Sequence, residues 1–188
     1  MKVSIGISSR HIHVTREVLN ILYGKDYELK KLKDINQIGQ YAAEETVTIK
    51  GLNREIKNVR ILGPIREYTQ VEVACSDAYI LGLKPPVRDA GDIKESSPIT
   101  IIGPLGEVSL KEGCIIASRH IHMDPKVSEK MGFKDGDIVK VKVDGIKGGI
   151  LDNVSIKVND AYYYELHLDI DDGNAHLIKQ GDIGTIIR

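Results

Sequence analysis

Ser9-Arg10-His11-Ile12-His13 returns later in the chain as Ser118-Arg119-His120-Ile121-His122, and the two copies hold four of the six histidines. In a β-strand, successive side chains point to opposite faces, so each His-Ile-His tripeptide sends both imidazoles to one face and its isoleucine to the other. Neutral imidazole is a common ligand for transition metals. Two such strands could supply four nitrogen ligands to one metal ion, or two to each of a pair.

A single His-x-His motif is also compatible with a pair of half-exposed strand histidines. Repetition of the whole pentapeptide, including its arginine, favours metal binding over that alternative. The segment Glu165-Leu166-His167-Leu168-Asp169 alternates in the same way, which places Glu165, His167 and Asp169 on one face. His167 is therefore either a third nitrogen ligand or a surface histidine of a strand. His176, which follows a predicted loop at 171–174, is interpreted as a surface residue.

Arg66 and Glu72 are the other candidate site residues. Arg66 lies in a predicted loop after a strand, and its planar, permanently charged guanidinium suits a phosphate or a carboxylate. Glu72 stands between Val71 and Val73 and therefore points away from them. If the valines face a core, Glu72 is a solvated outward residue; if its own face lines a cleft, it is a metal ligand. The residues alone favour the solvated interpretation.

The patterns along the chain predict a mainly β protein. Thr15 is a predicted cap for a helix at 16–23, Asp124 and Pro125 begin a second predicted helix that ends near Gly132, and 76–81 form a third. Short alternating segments separated by turns predict strands over most of the remaining chain. Gly-Asp-Ile recurs at 91, 136 and 181, which hints at a repeated barrel module. We expect two small β-barrels capped by short α-helices.

Composition limits the partners and the location. The net charge of −1 gives no broad electrostatic reason to expect nucleic acid or an anionic membrane. Cys75 and Cys114 lack a C-x-x-C spacing and have apolar neighbours, so buried thiols are expected rather than a disulfide. The chain begins directly with a predicted strand instead of a signal peptide, and a cytoplasmic location is expected.

Several motifs together resemble one known family. These motifs are the two Ser-Arg-His-Ile-His copies, Ala42-Ala43-Glu44-Glu45-Thr46-Val47, Leu62-Gly63-Pro64-x-Arg66, Thr69-Gln70-Val71-Glu72, the extension of the second copy to Met123-x-Pro125, and Glu165-x-His167. They closely resemble the phosphate acyltransferases (phosphotransacylases) of the propanediol-utilisation type, and the match runs over nearly the whole chain. The resemblance implies an enzyme that interconverts acyl-CoA (acetyl- or propanoyl-CoA) plus phosphate with acyl phosphate plus CoA.

The same resemblance implies the architecture and the site. Residues 1–9 with 118–188 would form one barrel, in which the N-terminal strand joins the C-terminal segment, and residues 10–117 would form the other. Two Zn²⁺ ions per chain are implied, although other divalent metals are possible. Arg66 is the implied catalytic arginine that holds phosphate. The implied metal ligands are His11, His13 and Glu72 for one ion, and His120, His122 and His167 for the other. The implied CoA contacts are Ser8, Lys33, Arg60, Leu62, His167 and Asn174.

Two further expectations come from the resemblance. A homodimer is implied, and a microcompartment lumen is not expected because relatives packaged there carry an extension ahead of the first strand. Two alternative functions stay open from the residues. One is a metal-dependent acyl-CoA thioester hydrolase; the other is a non-catalytic CoA-binding zinc protein. Arg66 separates them from the transferase, since neither alternative needs a phosphate clamp.

Overall fold

The computed structural model describes residues 1–187, and within them the chain is mainly β-strand. The strands are β1 (Lys2–Ser8), β2 (His11–His13), β3 (Lys31–Asp34), β4 (Tyr41–Lys50), β5 (Glu55–Gly63), β6 (Gln70–Glu72), β7 (Val87–Arg88), β8 (Ser97–Ile102), β9 (Glu107–Ala117), β10 (His120–Met123), β11 (Ile138–Val143), β12 (Gly149–Val158), β13 (Glu165–Asp169) and β14 (Ile183–Ile187). The helices are α1 (Arg16–Tyr23), α2 (Cys75–Leu81), α3 (Pro125–Met131) and α4 (Ile170–His176). Among the described residues, no helix is long and apolar enough to cross a membrane.

The chain divides into two compact units. Unit one combines Met1–Ser9 with the chain from Ser118 onward, and unit two is Arg10–Ala117. In unit one, the strands form a closed barrel in the order β1-β13-β10-β12-β11-β14. The N-terminal β1 runs parallel to β13 and antiparallel to β14, which closes the ring. The expectation that the N-terminal strand joins the C-terminal barrel is confirmed.

Unit two is also a closed ring of six strands. Following the pairs in turn gives β4-β5-β2-β6-β9-β8, and the antiparallel pairing of β8 with β4 closes it. The short β3 and β7 add to β4 and β9. Each barrel encloses its own aliphatic core, which includes Ile12 and Val71 in unit two, and Ile121 and Leu166 in unit one. The predicted mainly β fold with two barrels and short helices is confirmed.

Local capping explains where the helices begin. The Thr15 side chain accepts a hydrogen bond from the Val18 amide at the start of α1, and Asp124 caps α3 in the same manner.

The predicted loop at 171–174 is wrong, because this segment lies inside α4 with Asp169 as its cap. Gly173 lowers the intrinsic helix propensity, and it packs closely against Ile7, where a Cβ would lie 2.8 Å from the end of the Ile7 side chain. Both cysteines are free thiols; Cys114 is buried as expected, but Cys75 is exposed at the start of α2.

Candidate functional site

The first candidate ligand set, His11, His13 and Glu72, lies on the outer face of the unit-two barrel. β2 runs between the parallel β5 and the antiparallel β6, and the register places His11 directly opposite Glu72. His11 Nε2 lies 3.4 Å from Glu72 Oε2. One ligand atom each from His11, His13 and Glu72 lies within 4.8 Å of the others, a spacing that one metal ion could bridge.

The environment keeps His13 neutral, as a metal ligand must be. Burial, with a further contribution from neighbouring His11, lowers the pKa of His13 from 6.5 to about 3. Its Nδ1 is buried and has no hydrogen-bond partner within residues 1–187. A buried ring nitrogen without a partner is costly, and a metal ion would satisfy it.

Glu72 points outward from the barrel and is nevertheless largely buried, a combination that strand alternation alone does not reveal. Val71 and Val73 face the barrel core, so Glu72 points outward as expected for a strand residue. Its side chain is nevertheless only 13% exposed. The preference for a solvated Glu72 is therefore wrong, because the outer face of β6 is covered at this point. Periodicity assigns a face to a residue, but it does not tell whether that face is covered.

The second ligand set lies on the unit-one barrel and has the same construction. β10 runs between the parallel β12 and the antiparallel β13, and the register places His120 opposite His167. The ring centroids of His120 and His122 lie 5.1 Å and 4.3 Å from that of His167. One nitrogen from each of the three histidines lies within 4.8 Å of the others. Ile121 and Leu166 point into the core on the opposite face.

The hydrogen bonds and burial of these histidines also suit a metal ion. His120 Nδ1 lies 2.8 Å from the Ser118 carbonyl, which can only accept, so the ring's lone pair is on Nε2. Burial, followed by the neighbouring His167, lowers the pKa of His122 to about 2. His122 Nδ1 is buried without a hydrogen-bond partner among the described residues, while Tyr162 stacks on the ring at 3.7 Å. Both ligand sets therefore fit a divalent metal ion.

An arginine–aspartate pair accompanies each ligand set, and neither pair was among the residues predicted from the sequence. Arg10 Nη1 donates to Asp77 Oδ1 at 2.5 Å in unit two. In unit one, Arg119 donates from Nε and Nη2 to the two carboxylate oxygens of Asp172. Each arginine directly precedes its His-x-His strand, and each aspartate is the third residue of the helix that follows the third ligand. The equal spacing from Glu72 to Asp77 and from His167 to Asp172 was the available signal.

Arg66 lies in unit two, close enough to His13 that its charge contributes to lowering the His13 pKa. Its guanidinium donates to Gln40 Oε1 at 2.8 Å and to the Tyr68 hydroxyl at 2.9 Å. Both partners are uncharged. Arg66 forms no ion pair with a carboxylate in the part of the chain that the structure describes, so its charge is not cancelled by Glu67 or another acid.

The implied CoA contacts divide between the two units. Ser8 ends β1, His167 lies on β13 and Asn174 on α4, all in unit one. Lys33 on β3 and Leu62 and Arg60 on β5 belong to unit two. Arg60 pairs with His11 across the strands, and its guanidinium donates to the Ala43 and Glu44 carbonyls.

Comparison with known proteins defines the class of enzyme. A family model described as phosphate propanoyltransferase matches residues 4–179. The chain is 51% identical over 186 residues to a phosphate propanoyltransferase of Lachnoclostridium phytofermentans, covering 98% of this chain and 87% of that protein. It is 49% identical to one of Thermotoga maritima (99% and 89% covered) and 43% identical to one of Rhodopseudomonas palustris (100% and 83% covered).

A match of this extent makes the protein an acyltransferase. More specifically, the chain belongs to the phosphate propanoyltransferase family. The resemblance inferred from the two His-x-His copies and the motifs around Arg66 and Glu72 is confirmed.

Proposed function

We propose that the protein transfers an acyl group between CoA and inorganic phosphate, with a divalent metal ion held by each of the two ligand sets. The observation that carries the proposal is Arg66, a cation whose hydrogen-bond partners within residues 1–187 are uncharged and which is located near His13. Gln40 and Tyr68 fix the direction of the guanidinium without cancelling its charge. An anion with oxygen acceptors, such as phosphate, would find a pre-oriented partner there.

His11, His13 and Glu72 would hold one ion, and His120, His122 and His167 the other. Nitrogen and carboxylate donors suit Zn²⁺, although other divalent ions accept the same sets. When bound, such an ion supplies Lewis acidity towards an acyl oxygen and stabilises a thiolate.

The chain's own contribution is to place phosphate. Phosphate attacks a thioester poorly unless it is held against the acyl carbon, and a guanidinium fork can hold two of its oxygens at once. The attacking oxygen displaces the CoA sulfur, so the acyl–sulfur bond breaks as the acyl–oxygen bond forms. No acyl-enzyme is needed.

Some parts of the proposal come from family resemblance alone. The curated relatives are named for propanoyl transfer, and either acetyl- or propanoyl-CoA is a reasonable substrate for this chain. CoA contacts at Ser8, Lys33, Arg60, Leu62, His167 and Asn174 stay predictions, as do the homodimer and the cytoplasmic location.

The proposal predicts that CoA release from acyl-CoA depends on phosphate and yields acyl phosphate. Steady-state rates should be measured with phosphate and acyl-CoA varied independently, in the wild type, Arg66→Lys and Arg66→Ala. Losing a charge-assisted hydrogen bond costs about 1.5–3 kcal/mol, which corresponds to roughly ten- to more than a hundredfold in catalytic efficiency. Arg66→Lys should weaken the use of phosphate more than that of acyl-CoA, and Arg66→Ala should be worse.

Arg54→Ala is the matched control, because Arg54 is an exposed turn residue of the same unit. It should leave both dependences unchanged. Unaltered phosphate dependence in Arg66→Ala would remove Arg66 from the site. CoA release that proceeds equally without phosphate and yields the free acid would instead favour the thioester hydrolase.

A further inference from the structure

Gln70 is a fully buried polar residue beside the unit-two ligands. It stands on β6 two positions before Glu72, and the register places it opposite His13. Its relative exposure is 0%. Buried amides need partners for both ends, and the partners of Gln70 define what its side chain does.

The two hydrogen bonds of Gln70 fix the direction of its amide. Gly91 N donates to Gln70 Oε1 at 2.7 Å, and Gln70 Nε2 donates to Glu72 Oε1 at 2.7 Å. A backbone N–H can only donate, so the amide oxygen must face Gly91. The NH₂ group must then face Glu72. The orientation of Gln70 follows from this chemistry.

The repeated Gly-Asp-Ile turns show that the bond from Gly91 is unusual. Gly91, Gly136 and Gly181 have similar positive φ values of 93°, 84° and 87°. In unit one, the Gly136 and Gly181 amides donate to the backbone carbonyls of Ile156 and Ile5. In unit two, the Gly91 amide donates to a side chain instead. The same turn therefore serves to hold Gln70.

This arrangement divides the two oxygens of Glu72 between two tasks. Oε1 is held by the Gln70 amide, and Oε2 lies 3.4 Å from His11 Nε2, on the side of the ligand set. We infer that Gln70 is a positioning residue that makes Glu72 a ligand through one oxygen, and that the Gly91 turn holds Gln70 for this role. The inference rests on the proposed metal site of unit two.

Unit one has a chemically complementary residue at the corresponding position. Glu165 stands two positions before His167 and opposite His122, is buried, and has a carboxylate oxygen 3.4 Å from His167 Nε2. Two positions before the candidate carboxylate ligand thus stands an amide that donates to it, and two positions before the candidate imidazole ligand stands a carboxylate, a group that has only acceptor atoms when ionised. Partners of this kind orient metal ligands and commonly change metal affinity by about 10- to 100-fold.

The test is metal retention by Gln70→Met, which keeps an unbranched side chain of similar length but removes both hydrogen bonds. Zn²⁺-loaded protein is titrated with a chelator, and the metal per chain is measured. We expect one of the two ions to leave at about 10- to 100-fold lower chelator concentration than in the wild type, while the other is unchanged. In Co²⁺-loaded protein, only the visible absorption of one of the two bound ions should differ between Gln70→Met and the wild type.

Gln180→Met is the control, because Gln180 is an exposed residue whose Oε1 also accepts a backbone N–H, from Ile7 at 2.7 Å, but no hydrogen bond within residues 1–187 joins its side chain to a candidate ligand. It should keep both ions at wild-type affinity. If Gln70→Met does not fold, Gln70→Asn keeps the amide but is one methylene too short to reach Gly91 and Glu72 together. It should show the same selective loss.

The outcomes separate this inference from the function on which it rests. If the wild type binds two ions and a folded Gln70 variant keeps both at wild-type affinity, the role of Gln70 is overturned while the metal sites stand. If the wild type binds no metal after reconstitution, the proposed metal sites fail and the role of Gln70 fails with them.

Discussion

The candidate metal-ligand sets of the two units have the same scaffold but differ in their third member. In each unit, a His-x-His strand lies between a parallel and an antiparallel neighbour, and the antiparallel neighbour places the third ligand opposite the first histidine. That ligand is Glu72 in unit two and His167 in unit one. The scaffold therefore fixes the positions of the candidate ligands, while their residue types decide which donor atom and which charge each one brings to a metal ion.

The difference in the third ligand has an electrostatic consequence. Glu72 brings a negative charge, whereas His167 is neutral when it binds through a ring nitrogen. A divalent ion would therefore keep more net positive charge in unit one than in unit two. The residue two positions before each candidate third ligand also differs, with Gln70 in unit two and Glu165 in unit one. The proposed sites are thus expected to respond separately to substitution.

The largest expected effect comes from removing one buried histidine of each set. His13→Ala and His122→Ala should each lose one of two metal ions and lower turnover to background, because a three-ligand site rarely holds its ion with two. Elemental analysis and rate measurements on the same samples test this. His176→Ala, outside both sets, is the control. Loss of both ions from either single variant would show that the sites are not independent.

An exchange of the third ligand should have an intermediate effect and tests the matching directly. Glu72→His alone would face an imidazole towards the Gln70 amide, which can donate but not accept at that point. We expect about a 10- to 100-fold loss of metal affinity in unit two. The double variant Gln70→Glu with Glu72→His reproduces the unit-one pair and should regain affinity over the single variant. Equal chelator titrations for the single and double variants would contradict the matching.

The smallest expected effect concerns the arginine–aspartate pairs. Arg10→Ala leaves the Asp77 carboxylate, whose side chain is only 4% exposed, without its cationic partner. Arg119→Ala leaves Asp172, which is 20% exposed and better able to turn to water. Each change should cost about 1–3 kcal/mol of unfolding free energy. Adding Asp77→Asn to Arg10→Ala should restore part of the lost unfolding free energy, and adding Asp172→Asn to Arg119→Ala should restore less. Denaturant unfolding of the single and double variants measures both changes.

Local sequence determined much of this protein. Strand alternation placed His11 and His13 on the face opposite Ile12, and Thr15 and Asp124 marked the start of two helices. These features depend on neighbours in the chain, which a sequence displays directly. The helix at Ile170–His176 was missed because Gly173 weakens the local helix signal, and its packing against Ile7, far away in the chain, is visible only in the folded structure.

Tertiary structure alone decided how distant residues meet. No local pattern tells that Glu72 lies opposite His11, that its outward face is covered, or that Gly91 holds Gln70. Residues 11, 72 and 91 come together only because the strands close into a ring in one register. The sequence by itself determined which residues could bind a metal and on which face each one stands. The register and burial set by ring closure decided which of them form a set, because strand pairing depends on the whole sheet.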